Sequence, residues 1–309
     1  MSIAPATILI TGGSGMIGRR LTAVLRADGH EVRHLSRDPG NDPFAFRWDV
    51  DAGYVEPAAL TRVDHIVHLA GAGIADERWT RNRVRELMDS RARSIRLLHQ
   101  AVAGQGARPR TLVSAAGVGY YGAVTSDHVY TENDPAGNDT IARISDAWEA
   151  AVDTWRDTCR VVKLRTPIVL ANAGALPRLA TLVRWGLGAP LGTGRQWIPW
   201  VHLEDLVAIY LHALNNAHMH GAYNVTADHA VTNAELMRTL ALELDRPYFI
   251  PRVPGFILRM ALGERAVILL EGSRTSNARL LGTGFRFAFP DLHGALADLL
   301  QEKEPPGPA

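Results

Sequence analysis

The stretch Thr11-Gly12-Gly13-Ser14-Gly15-Met16-Ile17-Gly18 does most to restrict what this chain can fold into. It follows the apolar run Ile8-Leu9-Ile10 directly. It precedes Ile17, Leu21, Val24 and Leu25, apolar positions at helical spacing that stop at Gly29. Glu31 to Leu35 then reads as a second strand. A strand, glycine turn, helix and strand within the first 36 residues is the opening of a dinucleotide-binding α/β unit. Parsed as GxxGxxG from Gly12 or GxGxxG from Gly13, the motif is weak alone, and this context strengthens it. Glycines permit a tight turn and close approach of the backbone to a ligand, while free N–H groups at the helix start attract phosphate. Gly12, Gly15 and Gly18 are therefore expected under a pyrophosphate, with Gly13, Ser14, Met16 and Ile17 completing the contact.

The same alternation continues. Phe44 to Trp48, Ile66 to Ala70, Thr111 to Ser114 and Val161 to Leu164 read as strands, and helical stretches run from about Arg81 to Ala103 and about Ile141 to Arg156. This predicts a doubly wound α/β Rossmann fold, a parallel sheet with helices on both faces, over residues 1–170 with parts of 200–230 joining the core. After Leu170, glycines 186, 188, 192 and 194 are interspersed with Trp185, Trp197 and Trp200. A smaller C-terminal α/β substrate lobe is expected over 171–301, followed by a disordered tail, 302–309, that holds three prolines.

Composition narrows the function classes. With 47% hydrophobic and 21% charged residues in 309, the chain is expected to be soluble and globular. Its net charge is +1 and its basic residues are scattered, which argues against nucleic acid as a partner. One cysteine, Cys159, cannot form an intramolecular disulfide, and a buried thiol in a reducing compartment is expected. No apolar run approaches the roughly 20 residues of a membrane span, so a cytoplasmic protein without a membrane partner is expected. The histidines, including His218 and His220, show neither HExxH nor Cys-paired zinc spacing, and no metal is expected.

The end of the second strand decides the cofactor. An NAD-preferring site places a carboxylate there to bond the ribose hydroxyls. Here the residues are Ser36-Arg37. A hydroxyl and a guanidinium can bond a 2′-phosphate that a carboxylate would repel. NADP(H) is the expected cofactor, with Asp38 next door as the opposing charge.

With these features, His68-Leu69-Ala70-Gly71, Tyr120-Tyr121-Gly122, Trp200-Val201-His202-Leu203-Glu204-Asp205 and Gly221-Ala222-Tyr223-Asn224-Val225 resemble the extended short-chain dehydrogenase/reductases. More closely, Arg78-Trp79, Asp89-Ser90-Arg91, Trp148-Glu149, Gly194-Arg195-Gln196 with Pro199-Trp200, and Leu270-Glu271-Gly272-Ser273-Arg274 resemble the atypical subgroup called epimerase family protein. That subgroup ends in a domain of unknown function, here about residues 251 to 300. The resemblance covers nearly the whole chain. It implies that Leu69, Ala70 and Gly71 pack on the adenosine and ribose side of the cofactor. It also implies that Glu86 and Arg91 reach the cofactor, and that Val169 lies beside the nicotinamide half. On the residues alone, Glu86 reads equally as a surface charge and Arg91 as a structural ion pair.

One departure from that family matters more than the matches. Its hydride transfer normally uses a Tyr-x-x-x-Lys pair in which lysine lowers the tyrosine pKa. No such pair occurs in this chain. Ser145 and Glu149 stand about where tyrosine and lysine would be, and a carboxylate there would raise a nearby phenol. Ser114 is the only hydroxyl between Thr111 and Gly119 and is taken as a candidate cofactor contact. Tyr121 and Glu149 are the candidate acid–base groups; packing of an aromatic pair, and a surface carboxylate paired to Arg143 or Arg156, are the structural alternatives. Trp185, Arg195, Gln196, Trp200 and Arg274 are candidate contacts to a sugar-like small molecule, or equally the lobe's own core. Two functions stay open: a nucleotide-sugar-type epimerase or oxidoreductase with a rearranged catalytic set, and a non-catalytic NADP(H)-binding redox sensor or partner-docking protein. Monomer and homodimer are both compatible with the sequence.

Overall fold

The computed structural model describes residues 4–301, so the tail expected to be disordered lies outside the described residues. Strand β1 (Thr7–Thr11) buries Ile8, Leu9 and Ile10 completely, as a strand covered on both faces must. Helix α1 (Met16–Ala27) returns the chain to β2 (Glu31–Ser36), parallel to β1 with Thr7 opposite Glu31. Strands β3 (Ala45–Asp49) and β4 (Tyr54–Val55) extend that edge, β4 running antiparallel. The chain then crosses to the other side of β1 as β5 (His65–His68). Beyond it come α2 (Arg81–Gly104), β6 (Thr111–Gly117), a single helical turn over Val118–Tyr121, β7 (Val129–Tyr130), α3 (Thr140–Asp153) and β8 (Arg160–Thr166).

The remaining chain interleaves the two parts of the molecule. Strand β9 (Ile168–Leu170), α4 (Ala175–Arg184), β10 (Trp197–Ile198) and β11 (Trp200–His202) lead into α5 (Leu203–Asn215) and β12 (Gly221–Asn224). Then follow β13 (Val231–Thr232), α6 (Asn233–Glu243), α7 (Gly255–Leu262), α8 (Val267–Leu270), β14 (Arg274–Thr275), α9 (Ala278–Leu281) and α10 (Leu292–Leu300). Among the described residues the large sheet has eight strands in the order β12-β8-β6-β5-β1-β2-β3-β4. Residues of α1 and α5, such as Leu21, Leu25, Leu206 and Ile209, cover one face. Residues of α2 and α3, such as Ile95, Leu98, Ala151 and Val152, cover the other. Chain direction from β1 diverges toward β2 on one side and β5 on the other, and that switch opens a crevice at their carboxyl ends.

Local signals explain the element ends. Thr80 and Asp139 accept from the backbone N–H groups of Arg83 and Ala142, and Thr232 with Glu235 forms a capping box on α6. The strand expected to reach Ala70 stops at His68: Leu69 N–H still donates to Thr11 O at 3.1 Å, but the Ala70 N–H turns aside to the Thr11 hydroxyl at 3.2 Å. Conversely β6 runs three residues beyond Ser114, to Gly117, along β8.

The C-terminal lobe has its own core, with Leu176, Val183, Trp200, Leu236, Leu240 and Leu296 fully enclosed. It is tied to the sheet domain at the start of α5. Buried Asp205 accepts from the N–H groups of Ala288 at 2.7 Å and Phe289 at 3.0 Å. His202 caps α5 through Nδ1, which accepts from Glu204 N, and its ring stacks on Phe289 at 3.9 Å. Asp205→Ala leaves two N–H groups without their acceptor and should lower the unfolding free energy by about 2–4 kcal/mol. An unchanged urea midpoint for this variant would show that Asp205 does not fasten the lobe.

Candidate functional site

Each glycine of the turn has a separate steric reason. Gly12 has φ of +72°, and a Cβ there would lie 2.9 Å from the carbonyl carbon of Leu69 across the β1–β5 crevice. A Cβ on Gly18 would lie 2.5 Å from Gly12 O, and one on Gly13 would lie 2.7 Å from the His34 ring. Gly15 is the N-cap of α1 and brings no side chain to its open N–H groups. Ser14 and Gly15 are exposed. The arrangement is a bare helix N-terminus facing a crevice, suited to an anion.

At the end of β2 the Ser36 hydroxyl donates to Asp38 O at 2.7 Å and accepts from Asp38 N at 3.2 Å, forming a local turn. Arg37 is exposed and makes no hydrogen bond or ion pair among the described residues. The Asp38 carboxylate accepts from Gly40 N, away from Arg37.

The opposite wall is held by a buried polar chain. Thr11 Oγ1 accepts from Leu69 N and Ala70 N, so its own proton goes to His68 Nδ1, 2.8 Å away. His68 Nε2 then faces Ser94 Oγ at 3.4 Å. Burial, with the charge of Arg91 adding, pushes His68 down to about 3, which keeps it neutral. Arg91 is itself buried and donates to Leu87 O at 3.0 Å and Ala72 O at 2.8 Å, with its guanidinium over the Trp148 ring. It meets no carboxylate. Its Nε has no partner, and burial followed by the charge of Arg83 pushes it down to about 10. Gly71 packs directly on this side chain, where a Cβ would lie 3.0 Å from Arg91 Cγ. Glu86 is exposed and paired with Arg83 at 2.9 Å. Val169 lies half-buried on β9 opposite Val201. Ser114 is fully buried and donates to Ala115 O, so its hydroxyl is not presented to the crevice.

The expected acid–base pair is placed differently from the sequence reading. Tyr121 and Glu149 do come together, but through Arg165 of β8. Arg165 grips Glu149 with Nε at 2.7 Å and Nη2 at 3.1 Å, and donates from Nη1 to the Tyr121 hydroxyl at 2.7 Å. That hydroxyl donates in turn to Asn224 Oδ1 at 2.7 Å. Lys163, also on β8, lies 3.0 Å from Glu149 and 2.9 Å from Asp153. Glu149 is therefore not a surface carboxylate paired to Arg143 or Arg156; it is 3% exposed inside a buried network. Tyr121 is pushed up to about 12 by burial, against the opposing pull of Arg165, rather than by Glu149. The polar atoms of both side chains are engaged inside the protein. Ser145 donates to Ile141 O and lies under Gly119, where a Cβ would come 3.4 Å from Ser145 Oγ. Ser145 is thus buried beside the turn Val118–Tyr121. Tyr120 is different: half-buried, its ring is stacked on Arg165 at 3.6 Å and its hydroxyl has no partner among the described residues.

The substrate-lobe candidates separate into two kinds. Gln196 is fully buried and donates to Leu191 O and Leu269 O; Trp200 is 1% exposed and donates to His229 O. Both are buried in the lobe; Gln196 Nε2 is taken by backbone carbonyls, while its Oε1 has no partner among the described residues. Trp185 is 72% exposed at the end of α4. Arg195 is exposed, and Arg274 stacks on Trp197 at 4.8 Å. Arg165, Lys163, Asn224 and His34 were missed by sequence reasoning. The first two carried a signal: cations at alternate positions of an otherwise apolar strand need buried anions on the facing helix.

Among the described residues, no group of three or more His, Cys, Asp or Glu side chains could hold a metal. None of their helices is long and apolar enough to cross a membrane. A profile of the NAD dependent epimerase/dehydratase family matches residues 8–226, and a domain of unknown function, DUF1731, matches residues 253–299. The chain belongs to the NAD dependent epimerase/dehydratase family. An epimerase family protein of Mycobacterium tuberculosis is 40% identical over 289 residues, spanning 92% of this chain and 94% of its own. The crystal structure of human epimerase family protein SDR39U1 (isoform 2) with NADPH is 35% identical. It superposes with a TM-score of 0.87 over 96% of this chain and 99% of that one. Bordetella bronchiseptica WbmG, solved with NAD and UDP, shares the fold at 17% identity, with a TM-score of 0.74 over 96% of this chain and 93% of that one.

Within this family site the buried pair can be tested directly. Glu149→Gln leaves Arg165 facing a neutral amide and should cost about 3–5 kcal/mol of stability. The double variant Glu149→Leu/Arg165→Met should cost clearly less than the sum of its single changes. Additive losses in urea denaturation would contradict the ion pair.

Proposed function

We propose that this protein holds NADP(H) across the β1–β5 crevice and does so without the acid–base chemistry of the Tyr-x-x-x-Lys pair. The observation that carries the cofactor choice is Arg37, an exposed guanidinium without a partner beside Ser36, at the position where an NAD site needs a carboxylate. The human relative solved with NADPH supports it. In this reading the pyrophosphate lies over Gly12, Gly15 and Gly18. Leu69, Ala70 and Gly71 face the adenosine and ribose, Glu86 reaches the cofactor, and Val169 borders the nicotinamide. Arg91, a buried cation without an anion, fits a dinucleotide phosphate or ribose oxygen through its unpartnered Nε. When bound, the nicotinamide offers a hydride at C4, and the chain's contribution is to bind and orient it. Burial pushes the Cys159 thiol up to about 11 and keeps it protonated; a reducing, cytoplasmic compartment belongs to the same reading.

Isothermal titration tests the cofactor assignment. Arg37→Ala should weaken NADPH binding about thirtyfold, the scale of one charge-assisted hydrogen bond, and leave NADH unchanged. Equal binding of the two cofactors by the unaltered protein, insensitive to this change, would overturn the choice of NADP(H).

A second reading, an oxidoreductase or epimerase acting on a sugar-like small molecule, is favoured by Tyr120 alone. Its hydroxyl is the one tyrosine oxygen of the Tyr120-Tyr121 pair left without a partner, and Arg195 with Arg274 would supply the lobe's contacts. Stopped-flow absorbance of bound NADPH against aldehydes, ketones and nucleotide sugars separates the two. The holding role expects no oxidation by any of them. Oxidation that disappears in Tyr120→Phe would establish the enzyme and identify its acid.

A further inference from the structure

We propose that His34 is an additional specificity determinant of the dinucleotide site: protonated, it places a positive charge beneath the adenosine 2′-phosphate, so that preference for NADP(H) over NAD(H) grows as pH falls. The inference rests on the NADP(H) reading above and adds to Ser36 and Arg37 a titratable group that neither replaces.

The position follows from strand geometry. Residues two apart on a strand share a face and lie about 6–7 Å apart, so His34 stands one step below Ser36 on β2. On that face the glycine turn rests on the imidazole. A Cβ at Gly13 would meet His34 Cδ2 at 2.7 Å and Cγ and Nε2 at 2.9 Å, so the ring is in contact with the backbone that would carry the ligand. The ring is also clamped. Nε2 lies 2.9 Å from Thr22 Oγ1 of α1, and the backbone N–H of His34 donates to Phe44 O at 2.8 Å.

The clamp accommodates either charge state. A hydroxyl can donate to a bare ring nitrogen or accept from its N–H, so Thr22 keeps its bond when His34 takes a proton. Nδ1 is not among the buried unpartnered atoms, and solvent can serve it. The charged groups that face the ring are Arg26 from α1 and Asp42 from the loop before β3. Its partners in the sheet, Ile10 of β1 and Ala45 of β3, are not ionisable. Burial, and then Arg26, push His34 below its ordinary value while Asp42 pulls it up. Without a ligand the ring is therefore neutral at neutral pH. A phosphate bearing −1.5 to −2 charges next to it favours the protonated form, and by linkage the proton favours the phosphate. NADH offers no such charge at that position.

The test compares the unaltered protein with His34→Gln, which can still bond Thr22, and His34→Leu, which keeps the packing. Dissociation constants for NADPH and NADH are measured by titration calorimetry from about pH 8 to about pH 6, the range in which a histidine titrates. The 2′-phosphate also takes up a proton near pH 6, so each variant is compared with the unaltered protein at the same pH, where that effect cancels. The advantage of the unaltered protein for NADPH should grow about fivefold on acidification, with no such growth for NADH. The His34 imidazole resonance in NMR should titrate at higher pH with NADPH bound than with NADH bound. Parallel pH profiles in all three proteins, with NADPH still preferred, would overturn the role of His34 alone. No preference for NADPH at any pH would overturn the cofactor assignment as well.

Discussion

The structure depends on how one buried charge is neutralised. A guanidinium cannot shed its proton inside a protein, so Arg165, buried on a strand one in from the edge of the sheet, needs an anion and acceptors wherever the chain goes around it. Burial opposes its charge, but the hydrogen bonds and field of Glu149, joined by Tyr121, outweigh that and hold it above the usual arginine range. Meeting the need fixes α3 through Glu149, the turn after β6 through Tyr120 and Tyr121, and β12 through Asn224. The carboxyl edge of the sheet, where ligands bind in this architecture, is thus set by an ion pair.

That ion pair inverts the family's usual layout. In the Tyr-x-x-x-Lys arrangement the helix supplies the cation. Here the helix supplies a carboxylate, and the cations come from β8 as Lys163 and Arg165. The glycine turn after β1 and the Ser36-Arg37 end of β2 lie across the switch point from β8. The glycine turn and the charge network are thus built from different elements of the fold.

Much of this was legible in the residues, and the limit has a clear cause. The glycine turn, the strand–helix alternation that yields β1, β2, β3, β5, β6 and β8, and the Ser36-Arg37 signal are local: each depends on spacing within one element or one turn. The family resemblance likewise rested on short motifs, and the family profile matches that region. Partnership was not legible. Gln196 and Trp200 looked like ligand contacts because polar and aromatic residues serve pockets and cores alike, and only the tertiary structure shows Gln196 spent on the carbonyls of Leu191 and Leu269. Glu149 was read against arginines of its own helix, whereas its partners lie on β8, well away in sequence. His34 read as one more strand residue because nothing in its neighbourhood announces that Gly13 folds back over its ring.

The seating of Gly119 over Ser145 bears on what reinstating the family's usual pair would take. A Tyr-x-x-x-Lys pair would need a phenol at Ser145 and an ammonium at Glu149. The first would have to fit at a buried position beside Ile141 and the turn that carries Gly119. The second would set three cations side by side with Asp153 as their nearest anion. Neither step is tolerable alone, and each becomes so only after the turn and β8 have changed. Reinstating that pair would therefore require the turn and β8 to change together with both positions.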